Sequence, residues 1–269
     1  MKRFAVIPNL YKDPELELTG GIVRMFRENG AGADAVTDVT SSEDLSGYDC
    51  AVVLGGDGTI LHVAKIAATL GMPVAGINLG RVGYLSSVDR NDTEKLLQID
   101  NSTGYSERMM LSMSYRGEEI TALNEFVISE SRATRMISAL VSVNGAPPME
   151  YDSTALIFST PTGSSGYNVS AGGPVIDPEL ECTAVTPVCP HTGASCSFIY
   201  GDGAEFVLTN SSSPDKNVII SADGAADLPL QPGESVTIKK SPYKVRLIRL
   251  ENEPFAGTLL RKMKLRPGD

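Results

Sequence analysis

The sequence predicts two domains of different class, an α/β N-terminal domain with a parallel sheet and an all-β C-terminal domain. Three observations carry this. Up to about residue 97, short apolar runs alternate with segments whose apolar residues recur at helical spacing. Beyond residue 98 the apolar residues recur every second position, between clusters of Gly, Pro, Asn and Ser. A chain of 269 residues is long enough to build two modest cores. The expected divisions are an α/β nucleotide- or phosphate-binding domain over 1–97, an all-β domain over 98–243, and a C-terminal segment over 244–269 that packs back on the first domain.

The elements follow in order. "FAVIPN" (4–9) is β-prone, and Asp13-Pro14 supplies the N-cap and first-turn proline of a helix. Leu18, Ile22, Met25 and Phe26 mark that helix, and "ENGAG" (28–32) ends it. "DCAVVLGG" (49–56) is free of charge from Ala51 to Gly56, as expected of a strand covered on both faces. A helix from about Thr59 to Leu70 stops at Gly71 and Pro73, and "PVAGIN" (73–78) is the next strand. This β-α-β order implies a parallel sheet with its ligand site beyond the carboxyl ends of the strands. In the second half, 110–131 and 135–145 alternate in period two, with Ile137, Ala139, Val141 and Val143 on one face. Further strands are expected at 155–160, 204–210, 217–223, 234–241 and within 244–265.

Composition narrows the partners. The residues are 42% hydrophobic and 21% charged, the balance of a globular chain and not of a disordered one. A net charge of −10 would repel nucleic acid and anionic membrane, so small molecules are the expected partners. The start "MKRFAVIPNLYKDPE" lacks a signal-peptide core, no run of about 18 apolar residues follows, and a cytoplasmic location is expected. Cys50, Cys182, Cys189 and Cys196 form no CxxC pair and suit a reducing compartment. With two histidines in the chain, no metal site of protein ligands is expected.

Between strand and helix stands Leu54-Gly55-Gly56-Asp57-Gly58-Thr59. Glycines let a ligand approach the main chain, and a helix N-terminus offers N–H groups to an anion, which suits phosphate. A carboxylate in a phosphate cradle needs another reason. Asp57 is either the N-cap of the helix or the group that takes the proton of a hydroxyl attacking a phosphoryl group. The turn has neither the Lys-Ser/Thr pair of the P-loop nor the second half of GxGxxG. A second unusual passage, "STPTGSSGYNVSAGGPVIDP" (159–178), offers hydroxyls at Thr160, Thr162, Ser164, Ser165 and Ser170 among Gly163, Gly166, Gly172 and Gly173.

Together these passages resemble the NAD kinase family, which joins a GGDGT turn in an α/β domain to a TPTGSTAYN-like segment in a β domain. "GINLGRVGYLSSV" (76–88), "LNEFVI" (123–128), "TPVCPHT" (186–192) and "ISADG" (220–224) are similar to further family segments, so the likeness runs over almost the whole chain. The resemblance implies ATP-dependent phosphorylation of the 2′-hydroxyl on the adenosine ribose of NAD, giving NADP. It places Gly55, Gly56, Gly58 and Thr59 on ATP or its phosphates, and Asp57, backed by Gly58, as the general base. Asn124 and Glu125 match the pair that holds the adenosine half. Ser165, Gly166, Tyr167, Asn168, Val169 and Ser170 would line the NAD pocket, with Ser165 where the family usually has Thr. His62 and Arg135 fall at places near the same ligand, Cys189 would contribute its backbone, and Asp223 matches the late strand. An aspartate carboxylate, pKa about 4 in water, cannot remove a ribose proton in advance and must receive it late in a loose phosphoryl transfer. Mg²⁺ or another divalent metal carried by ATP is the expected cofactor. A homodimer or homotetramer is implied.

One departure stands out. Where the family carries Gly-Asp-Gly ahead of STPTG, this chain has Asp152-Ser153-Thr154-Ala155, so the usual Asp place falls on Thr154 and only Asp152 supplies charge near the nicotinamide end. A lipid kinase of the same superfamily and a non-catalytic NAD or NADP sensor are the rival readings. The intact Gly55–Thr59 turn weighs against the sensor.

Overall fold

The structure, a computed structural model, describes residues 2–80, 83–132, 135–193, 195–250, 255, 257 and 259. It forms two units, Met1–Arg108 with Tyr243–Asp269, and Met109–Pro242. The part of the expected C-terminal segment beyond Leu250 lies almost wholly outside the described residues.

In the first unit the chain runs β1 (Arg3–Ile7), α1 (Glu17–Glu28), β2 (Gly32–Ala35), β3 (Cys50–Gly55), α2 (Asp57–Thr69), β4 (Pro73–Asn78) and β5 (Val88–Asp89). The strands pair in parallel in the order β2-β1-β3-β4, and β5 joins β4 through Ile77 and Asn78. Every residue of β3 is buried. Its Cys50, Val52 and Leu54 share a core with Ile22, Val23 and Phe26 of α1, while α2 packs on β3 and β4. Both faces are therefore covered, which is why the strand reads as an unbroken apolar run. The Phe4 and Phe26 rings stack 4.1 Å apart in that core.

Two expectations at helix starts need correction. The first helix begins at Glu17, with Leu16 at the N-cap (φ 56°), and Pro14 lies in the turn before it. Asp13 still serves this end, since its carboxylate accepts the N–H groups of Leu18 (3.3 Å) and Thr19 (2.9 Å) from a turn upstream. The second helix begins at Asp57, two residues earlier than expected, with Gly56 at its N-cap.

The second unit contains β6 (Tyr105–Tyr115), which starts in the first, then β7 (Glu118–Ala122), β8 (Glu125–Glu130), β9 (Ile137–Val143), β10 (Met149–Ser153) and β11 (Ala155–Ser159). After a short α3 (Tyr167–Ser170) come β12 (Cys182–Val188), β13 (Thr192–Gly193), β14 (Phe198–Gly201), β15 (Phe206–Asn210), β16 (Val218–Ala222), β17 (Ala225–Pro229) and β18 (Ser235–Ile248), whose last residues, from Tyr243, belong to the first unit. One antiparallel sheet has the order β14-β12-β11-β8-β16-β17. A second antiparallel run, β13-β10-β9-β15-β18, shares a core with it. Ile137, Ala139 and Val141 of β9 all point into that core, as their period-two spacing predicts, beside Phe158 and Phe206 in edge-to-face contact at 5.3 Å.

Three hairpins turn on a pair of left-handed residues, Arg116-Gly117 (φ 48° and 88°), Asn144-Gly145 (φ 51° and 75°) and Asp223-Gly224 (φ 53° and 72°). That backbone matches the strand twist and favours Asp-Gly. The strand expected over 234–241 and the one expected within 244–265 are one, β18, which pairs with β15 through Phe206–Thr209 against Ser235–Ile238 and with β4 through Arg246 and Leu247. Pro242 lies between these stretches, so its missing N–H removes a bond from neither ladder.

Gly76 of β4 positions the segment that follows β4. A Cβ there would stand 2.5 Å from Ile60 Cδ1, 3.0 Å from the Leu85 carbonyl oxygen and 3.1 Å from Ser86 Cα. Gly76 also bonds Ser87, its carbonyl accepting the Ser87 N–H at 2.7 Å and its own N–H donating to Ser87 Oγ at 3.3 Å. Gly76→Ala is therefore expected to destabilise the protein by about 1–3 kcal/mol through overpacking. A urea midpoint unchanged from wild type would show that the 85–87 segment yields freely.

Candidate active site

The first unit presents the glycine turn. Gly55 is the last residue of β3, and a Cβ on it would meet Thr59 Cβ and Oγ1 at 2.6 Å, so only glycine lets α2 turn back this tightly. Gly56 caps α2 with extended backbone, and no side chain caps the helix. Around Gly58, by contrast, a Cβ would meet nothing within 4 Å. The space beside this first turn is thus free of side chains, and a helix N-terminus favours an anion there.

Asp57 is not the N-cap. It is the first helical residue, and its carboxylate reaches across to accept the N–H of Tyr84 (2.9 Å) and of Leu85 (3.2 Å), one on each oxygen. A Cβ on Gly83 would collide with Asp57 Oδ1, so the loop lies close only because glycine stands there. Those two bonds fix the plane of the carboxylate. Thr59 Oγ1 accepts from Asn9 Nδ2 at 2.8 Å. His62 is exposed one turn further along α2, and its Nε2 lies 2.9 Å from the Val39 carbonyl oxygen.

In the second unit, the Asn-Glu and TPTG segments are joined. Glu125 pairs with Ser159 across β8 and β11. Thr160 donates its N–H to the Asn124 carbonyl (2.8 Å) and its hydroxyl to that of Leu123 (2.6 Å). Gly163 passes so close that a Cβ would lie 2.6 Å from the Asn124 carbonyl carbon. Asp223, held left-handed in its hairpin turn, accepts the N–H groups of Leu123 (2.9 Å), Asn124 (2.7 Å) and Glu125 (3.1 Å). One carboxylate thus orders the backbone of the whole Asn-Glu motif.

Glu125 itself is buried, and its Oε2 has no hydrogen-bond partner. Desolvation, and next the charge of Asp223, push its carboxyl up to about 7. A buried acceptor without a partner is what a ligand hydroxyl would complete.

The hydroxyls of residues 160–170 divide. Thr160 and Ser164 are fully buried, Ser164 donating to the Pro161 carbonyl at 2.7 Å and accepting the Ile176 N–H at 2.9 Å, so both brace the turn. Asn168 is also fully buried; its Nδ2 donates to the Pro174 carbonyl (2.8 Å) and its Oδ1 accepts from Thr186 (2.7 Å). Half-buried Ser165 and Val169, and exposed Gly166, Tyr167 and Ser170, present the accessible face of this segment.

Asp152 Oδ1 accepts from Ser138 Oγ at 2.6 Å, and its backbone carbonyl accepts the His191 N–H. Thr154, half-buried between β10 and β11, donates its N–H to Val188. Cys189 is exposed in left-handed backbone (φ 46°), and the exposed Arg135 faces Asp215 at 3.4 Å. Sequence reasoning did not find Asn9, Tyr84 or Leu85. The last two act through backbone N–H groups, which any residue carries, and Asn9 meets Thr59 across fifty positions. No local pattern marks either arrangement.

Comparison with known proteins agrees with the motifs. Residues 17–100 match the ATP-NAD kinase N-terminal domain and residues 123–250 the ATP-NAD kinase C-terminal domain. An NAD kinase of Lachnoclostridium phytofermentans is 34% identical over 282 residues, spanning 97% of this chain and 99% of its own length. One of Symbiobacterium thermophilum is 33% identical over 285 residues, spanning 98% and 99%. Among solved structures, an NAD kinase from Archaeoglobus fulgidus in complex with ATP superposes with a TM-score of 0.82 at 25% identity, over 96% of this chain and 99% of that one. A yeast NADH kinase complexed with NADH reaches 0.86 over 100% of this chain and 89% of that one, at 17% identity, which speaks for the fold alone. The α/β unit with its glycine turn and the all-β unit with its welded Asn-Glu and TPTG segments are thus those of a known two-domain fold, and the chain belongs to the NAD kinase family.

Proposed function

We propose that the protein transfers the terminal phosphoryl group of ATP to the 2′-hydroxyl of the adenosine ribose of NAD, giving NADP. The observation that carries this reading is the carboxylate of Asp57, fixed by the Tyr84 and Leu85 N–H groups at the N-terminus of α2. Phosphoryl transfer asks the protein chiefly for positioning and charge stabilisation. The turn Gly55–Thr59 suits the donor phosphates. Asp57 orients the ribose hydroxyl and receives its proton as the new O–P bond forms, while the leaving oxygen stays on ADP. Asn124 and Glu125 are proposed to hold the adenosine half, Glu125 Oε2 gaining the ribose hydroxyl as its missing partner. Ser165, Gly166, Tyr167, Val169 and Ser170 are proposed to line the rest of the NAD site, with Asn168 shaping the segment from within.

Roles for His62, Arg135, Thr154 and the Cys189 backbone in NAD binding rest on the resemblance. Mg²⁺ or another divalent metal is proposed to arrive on the triphosphate. Such an ion supplies charge neutralisation beside Asp57. No helix among the described residues is long and apolar enough to cross a membrane. A cytoplasmic homodimer or homotetramer completes the proposal, the oligomer to be read by light scattering.

Purified protein given Mg-ATP and NAD is expected to form NADP, detected with an NADP-specific dehydrogenase. Asp57→Asn should lose about a hundredfold or more of the rate while retaining NAD binding, in the range of general-base contributions. Tight NADP binding without turnover in the wild type would instead favour a sensor.

Glu125 adds a pH dependence. It accepts a ribose hydroxyl best when ionised, so the KM for NAD should rise as pH falls below about 7. Glu125→Gln should flatten that profile, and Asp223→Asn should move it to lower pH by removing a neighbouring charge. The free protein should respond in the opposite sense. The folded state holds this proton up to about 7 and the unfolded chain only to its ordinary 4.5, so the group's contribution to stability declines as pH rises through that window. Urea titrations of wild type and Glu125→Gln across the window check this.

A further inference from the structure

The loop joining β1 to α1 carries a lysine that neither the motifs nor the proposed chemistry employs. Lys12 is exposed, yet its position is defined. Its Nζ stands 3.1 Å from the point where a side chain on Gly80 would begin, and 3.7 Å from that point on Gly56. Gly56 caps α2 beyond the end of β3, and Gly80 lies just beyond β4. The ammonium therefore lies over the carboxyl ends of neighbouring parallel strands, where such sheets bind their ligands.

The loop is tied down at both ends. Asn9 Oδ1 accepts the N–H groups of Tyr11 (3.1 Å) and Lys12 (3.2 Å), and its backbone carbonyl accepts those of Lys12 and Asp13 at 2.9 Å. Its Nδ2 donates to Thr59 Oγ1 at 2.8 Å, which couples the loop to the glycine turn. On the far side, Asp13 is fastened to the start of α1 through Thr19. Surface cations elsewhere, such as Arg3, Arg27, Arg116, Lys240 and Arg246, each face a carboxylate. Among the described residues no such ion pair involves Lys12.

We propose that Lys12 binds the phosphates of the donor over Gly56 and Gly80, and that Asn9, acting through Thr59, is the positioning residue that places it. This rests on the reading that the Gly55–Thr59 turn receives those phosphates. An acidic Asp57 beside an anionic donor calls for positive charge supplied by the chain, and Lys12 is the cation the loop delivers there. A lysine acts as a point charge on phosphate, with no requirement for the planar fork of arginine.

The test is steady-state kinetics on Lys12→Gln, Lys12→Arg, Asn9→Ala and the double variant Asn9→Ala/Lys12→Gln, with thermal midpoints recorded for each. Calorimetric titration of inorganic tripolyphosphate into the free protein supplies a readout independent of turnover. Lys12→Gln is expected to raise the KM for ATP about ten- to a hundredfold, the loss of one charge-assisted bond, with the KM for NAD within about twofold of wild type. Tripolyphosphate should weaken in parallel, and Lys12→Arg should restore most of both. Asn9→Ala should raise the KM for ATP in the Lys12 background and add nothing when Lys12 is already replaced. An unchanged KM for ATP, an equal rise in both KM values, or weakened ATP with unaltered tripolyphosphate would overturn the proposal. If the wild type forms no NADP, the functional reading fails by itself. The tripolyphosphate titrations then decide for or against Lys12.

Discussion

A strand buried on both faces can carry chemistry only past its end, and this constraint organises the first unit. All six residues of β3 are buried, so no polar side chain fits along it without an internal partner. The groups with reactive potential accordingly cluster just beyond strand termini: Asn9 and Lys12 after β1, Asp57 after β3, and Gly80 after β4. Glycine at 55, 76 and 83 allows the following segments to lie close enough for backbone N–H groups to reach a carboxylate. Asp57 is held by the main chain, and its orientation therefore survives changes in the side chains at 84 and 85.

The second unit solves a related problem with two carboxylates in contrasting surroundings. Asp223 accepts three N–H groups, which fix Asn124 and Glu125. Glu125, a residue or so away in space by that same set of bonds, is buried with one oxygen unmatched and its proton affinity raised. The difference in hydrogen bonding separates their roles. Asp223 is architectural, and its place follows from turn chemistry, because the hairpin needs a left-handed residue followed by glycine and Asp tolerates that backbone. Glu125 is left with an unmet demand that a substrate hydroxyl can satisfy.

Much of this was legible in the sequence because it rests on local pattern. The charge-free run before Gly55-Gly56, the helix stop at Gly71, and the alternation of Ile137, Ala139 and Val141 each report a surface covered by its neighbours. β2 was not legible. Its four residues, Gly-Ala-Asp-Ala, have little β propensity, and the strand exists because β1 offers it an edge, with Gly32 packed where a Cβ would meet Arg3 Cγ at 2.9 Å. The same limit applies to the site. That Asp57 would prove a helical residue held by Tyr84 and Leu85, and that Thr160, Ser164 and Asn168 would brace their segment from within, depends on contacts remote in sequence or on buried lone pairs. Hydroxyls in a Ser/Thr-rich turn look alike until burial separates those that satisfy the backbone from those that face outward.

The acidity of the whole chain raises a final question, since both proposed ligands are anions and the net charge is −10. At physiological ionic strength a charge more than about 8 Å away is largely screened, so the total matters less than the groups within that radius. Near the glycine turn those groups include the N-terminus of α2 and the ammonium of Lys12, while surface cations such as Arg3, Arg27 and Lys240 are paired with acids. Asp57 is the local exception. In the proposed reaction it stands where negative charge is worst placed for phosphate and best placed for a hydroxyl proton, and that opposition is what the turn, the lysine and a donor-borne cation would together have to offset.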